Sequence, residues 1–402
     1  MSCSLSSGKE TLRPWQTNET IAVRRVAVSV DRLLTNVNIL IYVPEMAAFG
    51  GMERHICLLA LRCAASANRV ALVTTSNSLN QASRQQLREA GIQLRELAAP
   101  RHNSSRARKL LWLLWTALRM RSGSWDVIYS NGQSGLARFI WLAANKQTSI
   151  IHHHHTSGDA AEQTTWHPAF RKVLARAPRL VACSSTTRAN LQSGLGRHDI
   201  TFLPYLTPDL VSSSEVAERT YASGAPLRIG FIGRLVSTKG IDTLCDLSCD
   251  PAFDGVRWQI HGKGEKYSPP FFDRFPNIEY HGPYASIQDC ARILLGLDAV
   301  ALFSRHNEGM PLTLIEAMAA GLPWIATDQG GTRELAIAPE NCEVIPASAG
   351  LDEVKHHTLR FIARIRSGDT SRVSQRFAYD QNFAPALSAG RWLEYLGLPS
   401  AR

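Results

Sequence analysis

The sequence contains no uninterrupted apolar run of the ~20 residues that a bilayer-spanning helix needs. Its longest apolar stretches have the length of single strands or short helices. Residues 1–36 are polar and weakly patterned, lack the apolar core of a signal peptide, and read as an N-terminal extension. The eight cysteines form no C-x-x-C and no other ligand spacing, which argues against a zinc module or a dithiol redox site. Cys57 and Cys63 sit in a helical pattern and Cys183 in a strand, as small buried hydrophobes of a reducing compartment do. Zinc-finger and other nucleic-acid spacings are absent, as is the G-x-x-x-x-G-K-[ST] phosphate loop. Acidic residues are scarce in one half only. Residues 1–205 carry 25 Lys/Arg against 11 Asp/Glu, a balance of +14; residues 206–402 carry 19 against 23, a balance of −4. A polyanionic partner would therefore meet the first half alone.

What the chain does have is strand–helix alternation, twice over. Asn38–Val43, Arg69–Thr74, Gln93–Leu97, Val127–Ser130, Ser149–His152, Leu180–Cys183 and Thr201–Pro204 read as strands of the first half. Helices are predicted at Met52–Ala65, Ser83–Ala90 and 105–121. A Ser-, Pro-, Thr- and Gly-rich break at Leu206–Ala225 separates the halves. Strands resume at Leu227–Ile232, Val256–Ile260, Ile278–Tyr280, Ala299–Phe303 and Trp324–Thr327. Such alternation predicts two α/β domains, each a doubly wound parallel sheet, spanning 37–206 and 207–384, with a final helix from Pro385.

The most informative stretch runs from Asn307 to Asp328, followed by Gly330-Gly331. Glu308 and Glu316 have seven residues between them. Pro311 suits the first position of a helix, where a missing N–H costs nothing, and Gly321 with Pro323 stops that helix. The free N–H groups near Met310, Pro311 and Leu312 then face out of the positive helix end and suit a phosphate. The two carboxylates lie on the order of 7 Å apart along the axis. As pure acceptors they suit sugar hydroxyls on either side of that phosphate. In Gly233-Arg234-Leu235-Val236-Ser237-Thr238-Lys239-Gly240, two cations follow a strand, where open α/β sheets bind ligands. They would neutralise charge developing on a diphosphate leaving group.

This pattern resembles the Glu-x7-Glu signature of the retaining glycosyltransferases of family 4, over roughly residues 36–400. The resemblance implies the GT-B architecture, two facing Rossmann-like domains with a cleft between them and a last helix, 385–402, crossing back to the first. It implies that Glu308 contacts the donor sugar and Glu316 the nucleotide ribose. Gly309, Met310, Pro311 and Leu312 would hold the diphosphate with Arg234 and Lys239. Gly262 and Gly264 in His261-Gly262-Lys263-Gly264-Glu265, together with Gly233 and Gly282, would lie beside the nucleotide. Phe49-Gly50-Gly51-Met52-Glu53-Arg54 departs from G-x-G-x-x-G, so it is no dinucleotide fingerprint. In the resembled family the Gly50-Gly51 loop borders the acceptor and the donor phosphate.

His152-His153-His154-His155 is internal and ends a strand, so alternate imidazoles face opposite sides. The family carries a His there that points at the transferred sugar. His155 is the best match, His153 the second by the same-face rule, and Asp159 a further acceptor candidate. No metal or other cofactor is implied beyond the UDP- or GDP-sugar donor. The segment 101–121 is basic and rich in Trp and Leu, as interfacial helices are. With the +14 half, it points to a glycan or lipid-linked acceptor on an anionic membrane, in bacterial polysaccharide or lipopolysaccharide assembly. A cytoplasmic enzyme peripheral on the inner membrane face is expected, with no nucleic-acid partner. Two other readings stay open: a sugar-nucleotide epimerase of the same fold, and a non-catalytic basic protein binding membrane or nucleic acid.

Overall fold

A computed structural model describes residues 37–43, 50–67, 69–76, 78–98, 105–121, 123–133, 140–222 and 224–399. The extension read at residues 1–36 lies outside these, as do residues 101–104 of the basic segment.

Most of the strands are short apolar runs buried on both faces, as parallel strands covered by helices are, whereas the edge strands Gln93–Leu97 and Ile278–Gly282 are only partly buried. β1 (Asn38–Val43), β2 (Arg69–Thr75), β3 (Gln93–Leu97), β4 (Val127–Ser130), β5 (Ser149–His154), β6 (Arg179–Ala182) and β7 (Ile200–Phe202) form the first sheet. β8 (Leu227–Ile232), β9 (Val256–His261), β10 (Ile278–Gly282), β11 (Ala299–Leu302), β12 (Trp324–Thr327) and β13 (Cys342–Ile345) form the second. Their orders are β3-β2-β1-β4-β5-β6-β7 and β10-β9-β8-β11-β12-β13, and every pairing is parallel. Strand order reverses between β1 and β4 and again between β8 and β11. At those two switch points the loops leaving neighbouring strands diverge, which opens a crevice at the carboxyl edge of each sheet.

Each sheet carries its own core. Trp258, Trp324 and Phe303 anchor the second, and Ile39, Ile41 and Tyr129 the first. The last helix, Pro385–Leu396, returns to the first core with Trp392, Leu393 and Leu396. The Trp392 indole N–H donates to the Pro204 carbonyl at 2.7 Å, so its one polar atom is satisfied. Burying a side chain of this size stabilises the crossing by about 4–6 kcal/mol before entropy costs.

Several boundaries differ from the sequence reading. β5 runs two residues further, through His154, because the imidazoles are buried on both faces rather than emerging in a loop. β13 was not anticipated: its four residues, Cys-Glu-Val-Ile, are too few to show a period. Pro311 is not the first residue of its helix. It is the extended residue before it (ψ 104°), and the helix is Leu312–Ala319. Gly321, at φ +68°, ends that helix as expected.

Candidate functional site

Glycines line the second-domain side of the cleft because backbones touch there. A Cβ on Gly262 would lie 1.9 Å from the Gly233 carbonyl oxygen, and one on Gly264 1.9 Å from that of Leu235. The Gly233 amide donates to His261 O at 3.0 Å and the Gly262 amide to Gly282 O at 2.9 Å. Gly282 takes φ +75°, a conformation that favours glycine. These bonds tie the loops after β8, β9 and β10 into one continuous backbone ledge.

Beyond the switch point, the loop after β11 carries Glu308, a buried carboxylate. Lys239, at the end of the short turn Ser237–Lys239, donates to its Oε1 at 2.5 Å. The Ser304 hydroxyl donates to the same oxygen, and His306 Nε2 lies 3.5 Å from it. Ser304 is itself held, its carbonyl accepting from the Thr327 hydroxyl at 2.6 Å. Glu308 Oε2 has no partner among the described residues. The amides of Gly309, Met310, Leu312 and Thr313 at the adjoining helix start are likewise free among the described residues, and they carry the positive helix end. Arg234 is exposed and without a side-chain partner among the described residues. The site therefore offers one committed and one open carboxylate oxygen, a row of free amides and an unpaired guanidinium.

Glu316 lies one turn into the helix and is buried. Its partner comes from the other domain: Arg54 donates to Glu316 and also to the Tyr284 hydroxyl. Neighbouring Glu316 holds the Arg54 guanidinium well above its usual range, against the opposing effect of burial. Burial raises the Glu316 carboxyl even with Arg54 beside it. Arg54 is on the helix Gly51–Ala64, just after the paired glycines, so the loop geometry aims it across the cleft. A Cβ on Gly51 would meet Leu312 Cδ1 at 2.3 Å. That close approach brings the two helix starts together.

The histidine tract divides as its alternation predicts, with two rings on each side of the sheet. His152 and His154 face Phe170, at 5.8 and 6.1 Å between ring centroids. His154 meets Glu162 at 3.2 Å, an acid from the next helix that the sequence reading did not connect to the tract. His153 and His155 face the opposite side, with His55, Tyr129, Tyr205 and Trp392. His153 is fully buried, its Nδ1 against the Tyr129 hydroxyl at 2.8 Å; it does not line the cleft, because five aromatic rings enclose it. His155 sits at the cleft edge, stacked on Tyr205, with Nδ1 3.0 Å from the Tyr205 hydroxyl. Its carbonyl faces Gly309, where an added Cβ would come within 2.3 Å. Asp159 caps the helix Ala160–Thr165 through the Glu162 amide at 2.9 Å and accepts from Asn307, the residue beside Glu308.

The second-domain candidates thus come together around one crevice, with Gly50, Gly51, His155 and Asp159 opposite. Sequence reasoning missed the roles of Arg54, Tyr284, Ser304 and Asn307. It also missed Glu334, which accepts from the Ser185 and Thr186 amides at 2.8 and 2.6 Å and so caps a first-domain helix from the second domain. Only Arg54 left a signal: it lies three residues after Gly51, on the same helix face. Among the described residues no group of three or more His, Cys, Asp or Glu is arranged to hold a metal ion.

Residues 226–363 match the family described as glycosyl transferases group 1, and residues 50–205 a glycosyl transferase 4-like domain. The D-inositol 3-phosphate glycosyltransferase of Jonesia denitrificans is 25% identical over 396 residues, covering 86% of this chain and 92% of the relative. Among solved structures, HepE of Anabaena in complex with UDP and glucose matches with a TM-score of 0.67 at 16% identity, covering 90% of this chain and 99% of that one. WaaG, a glycosyltransferase involved in lipopolysaccharide biosynthesis, matches with a TM-score of 0.65 at 15% identity, covering 89% and 99%. At such identities the solved structures report the fold, two facing doubly wound domains.

Proposed function

The chain belongs to the glycosyltransferases of GT-B architecture, and we propose that it moves a sugar from a nucleotide-sugar to an acceptor hydroxyl with retention at the anomeric carbon. One observation carries this reading: Glu308 has Oε1 bound by Lys239 and Ser304 while Oε2 stays open beside four free amides. The open oxygen accepts from a hydroxyl of the donor sugar. The amides and the unpaired Arg234 take the diphosphate, and Lys239 adds positive charge as the sugar–phosphate bond breaks. A diphosphate oxygen takes the acceptor's proton, and the acceptor enters on the face the leaving group vacates. Glu308 orients the sugar; Lys239 holds it in place. Arg234, Lys239 and the amides supply the positive charge the leaving group needs, so the proposed reaction is metal-independent. UDP-sugars are the first donors to test, since the Anabaena relative was solved with UDP; GDP-sugars are the second.

The test is turnover by Glu308→Ala and Lys239→Ala with circular dichroism alongside. Each should lose about 10²–10³ in kcat while keeping its folded spectrum. Near-normal transfer by both would end the assignment. Release of an altered nucleotide-sugar without any acceptor would favour an epimerase instead.

For the acceptor, the helix Arg106–Arg121 supports a lipid-linked glycan at an anionic membrane. Thr116, Ala117 and Met120 pack inward, whereas Leu110, Leu111, Leu114, Trp115 and Leu118 are exposed at 44–67%. Arg108, Arg119 and Arg121 flank that apolar stripe and are exposed. Interfacial helices present this combination of apolar insertion and cationic rim. Among the described residues no helix is long and apolar enough to cross a membrane. Flotation with vesicles containing anionic phospholipid should carry the enzyme upward, and Leu111→Asp with Leu118→Asp should abolish it. Equal recovery with zwitterionic vesicles would count against the anionic surface.

A further inference from the structure

We propose that Arg54 is a ribose gate: it lies over Glu316, and a nucleoside reaches that carboxylate only by exchanging the guanidinium for its own hydroxyls. The proposal rests on the reading of Glu316 as the ribose-binding acid. Access carries the argument. The Glu316 side chain is 3% exposed and Arg54 lies over it, so a ligand cannot reach the carboxylate while the pair is closed. Arg54 itself is 29% exposed and has water to swing into. Its second anchor is Tyr284, which accepts its other nitrogen and lies under it at 5.6 Å from the ring centroid.

Chemistry gives the selectivity. A buried carboxylate must keep hydrogen-bond donors or be strongly destabilised. Arg54 supplies one N–H donor, to Glu316 Oε1, its other terminal nitrogen donating to Tyr284. The vicinal hydroxyls of a ribose supply O–H donors in place of that N–H, so the exchange leaves Glu316 with a donor. Inorganic pyrophosphate occupies only the amides at the helix start and has no hydroxyl to offer. It neither opens the gate nor competes with it. Because Arg54 belongs to the first domain and Glu316 to the second, opening the gate also releases one tie across the cleft when donor arrives. Among the described residues other cross-cleft ties, Asp159 to Asn307 and Glu334 to Ser185 and Thr186, stay clear of this carboxylate.

Isothermal titration of UDP, GDP and pyrophosphate into full-length wild type, Arg54→Gln, Tyr284→Phe and Glu316→Gln tests this. Arg54→Gln should bind the preferred nucleoside diphosphate at least threefold more tightly, with pyrophosphate affinity unchanged. Tyr284→Phe, which removes one anchor, should shift in the same direction by less and serves if Arg54→Gln does not fold. Weaker or unchanged nucleotide binding in Arg54→Gln, or in Tyr284→Phe where it alone folds, overturns the gate. Parallel weakening of nucleotide and pyrophosphate would make Arg54 a phosphate ligand, and overturns it equally. Glu316→Gln should weaken the nucleotide at least tenfold and spare pyrophosphate. If it binds nucleotide normally, the ribose reading of Glu316 fails on its own account, whatever Arg54 does.

Discussion

Lowering the pH from 7.5 to 5 should cost this protein several kcal/mol of stability, and the cause is the buried imidazole cluster. His55, His152, His153 and His155 are all wholly or nearly enclosed. Burial lowers His55 from 6.5 to about 3 and, with His154 beside it, His152 to about 3. Burial and neighbouring imidazoles push His153 and His155 well below their ordinary value. Geometry agrees, because His55 Nδ1 accepts the Leu206 amide at 3.0 Å and a proton there would break that bond. In the unfolded chain these groups protonate below about pH 6.5; in the folded chain they stay neutral. The unfolded state therefore takes up protons the folded state refuses. The stability in question is intact above pH 6.5 and drains away as pH falls toward 3. At pH 5 each group has lost about 1.4 kcal/mol per unit over 1.5 units, about 2 kcal/mol. His55 and His152 together lose about 4 kcal/mol, a large share of a typical 5–15 kcal/mol total. His153 and His155 add to the loss, whereas Glu316, whose carboxyl burial raises, acts in the opposite sense. Urea unfolding followed by tryptophan fluorescence at pH 7.5, 6.5, 5.8 and 5.0 measures it. His152→Leu, which removes a ring with both nitrogens unpartnered, should abolish about 2 kcal/mol of the dependence. An unfolding midpoint that does not move between pH 7.5 and 5.0 would refute the reasoning.

Arg234→Ala should leave the unfolding midpoint unchanged, because the side chain is exposed and unpaired among the described residues, yet weaken nucleoside diphosphate binding and cut kcat by about 10²–10³. Equal losses of stability and activity would point to a structural role instead. Gly309→Ala should act as a wedge, since its Cβ would lie 2.3 Å from His155 O and 2.7 Å from Cys183 Sγ, both buried first-domain atoms. Overpacking of this kind costs about 1–3 kcal/mol, readable by denaturant unfolding, and donor binding should fall with it; a wild-type midpoint would mean the two walls sit further apart.

How much of this was legible in the chain depends on the distance over which each feature is encoded. β1, β3, β4, β8 and β12 begin and end at the residues predicted from sequence; for all but the half-exposed edge strand β3, a buried parallel strand is written in consecutive side chains. The helix after Glu308 was legible from Pro311 and Gly321, with an error of one residue that the extended ψ of Pro311 explains. β13 was not, since four residues with an acid among them carry no period. The helix Leu351–Ser367 was passed over although Val354, Thr358, Phe361, Ile362 and Ile365 give the apolar spacing of one helix face.

The pairings across the cleft are a different matter. Arg54 and Glu316 are 262 residues apart, Asp159 and Asn307 148. Each belongs to a domain whose internal pattern is complete without the other. Composition and periodicity report how a residue meets its own sheet. The relative placement of two finished domains is set instead by a few contacts such as Gly51 on Leu312, Gly309 on His155 and Glu334 on the Ser185–Thr186 amides. Reading Glu316 from sequence gives its neighbours along the helix and a ligand it suits. It cannot give the residue that pairs with it across the cleft. That partner comes from the opposing wall, and only the folded geometry of Arg54, Tyr284 and Glu316 brings it to the carboxylate.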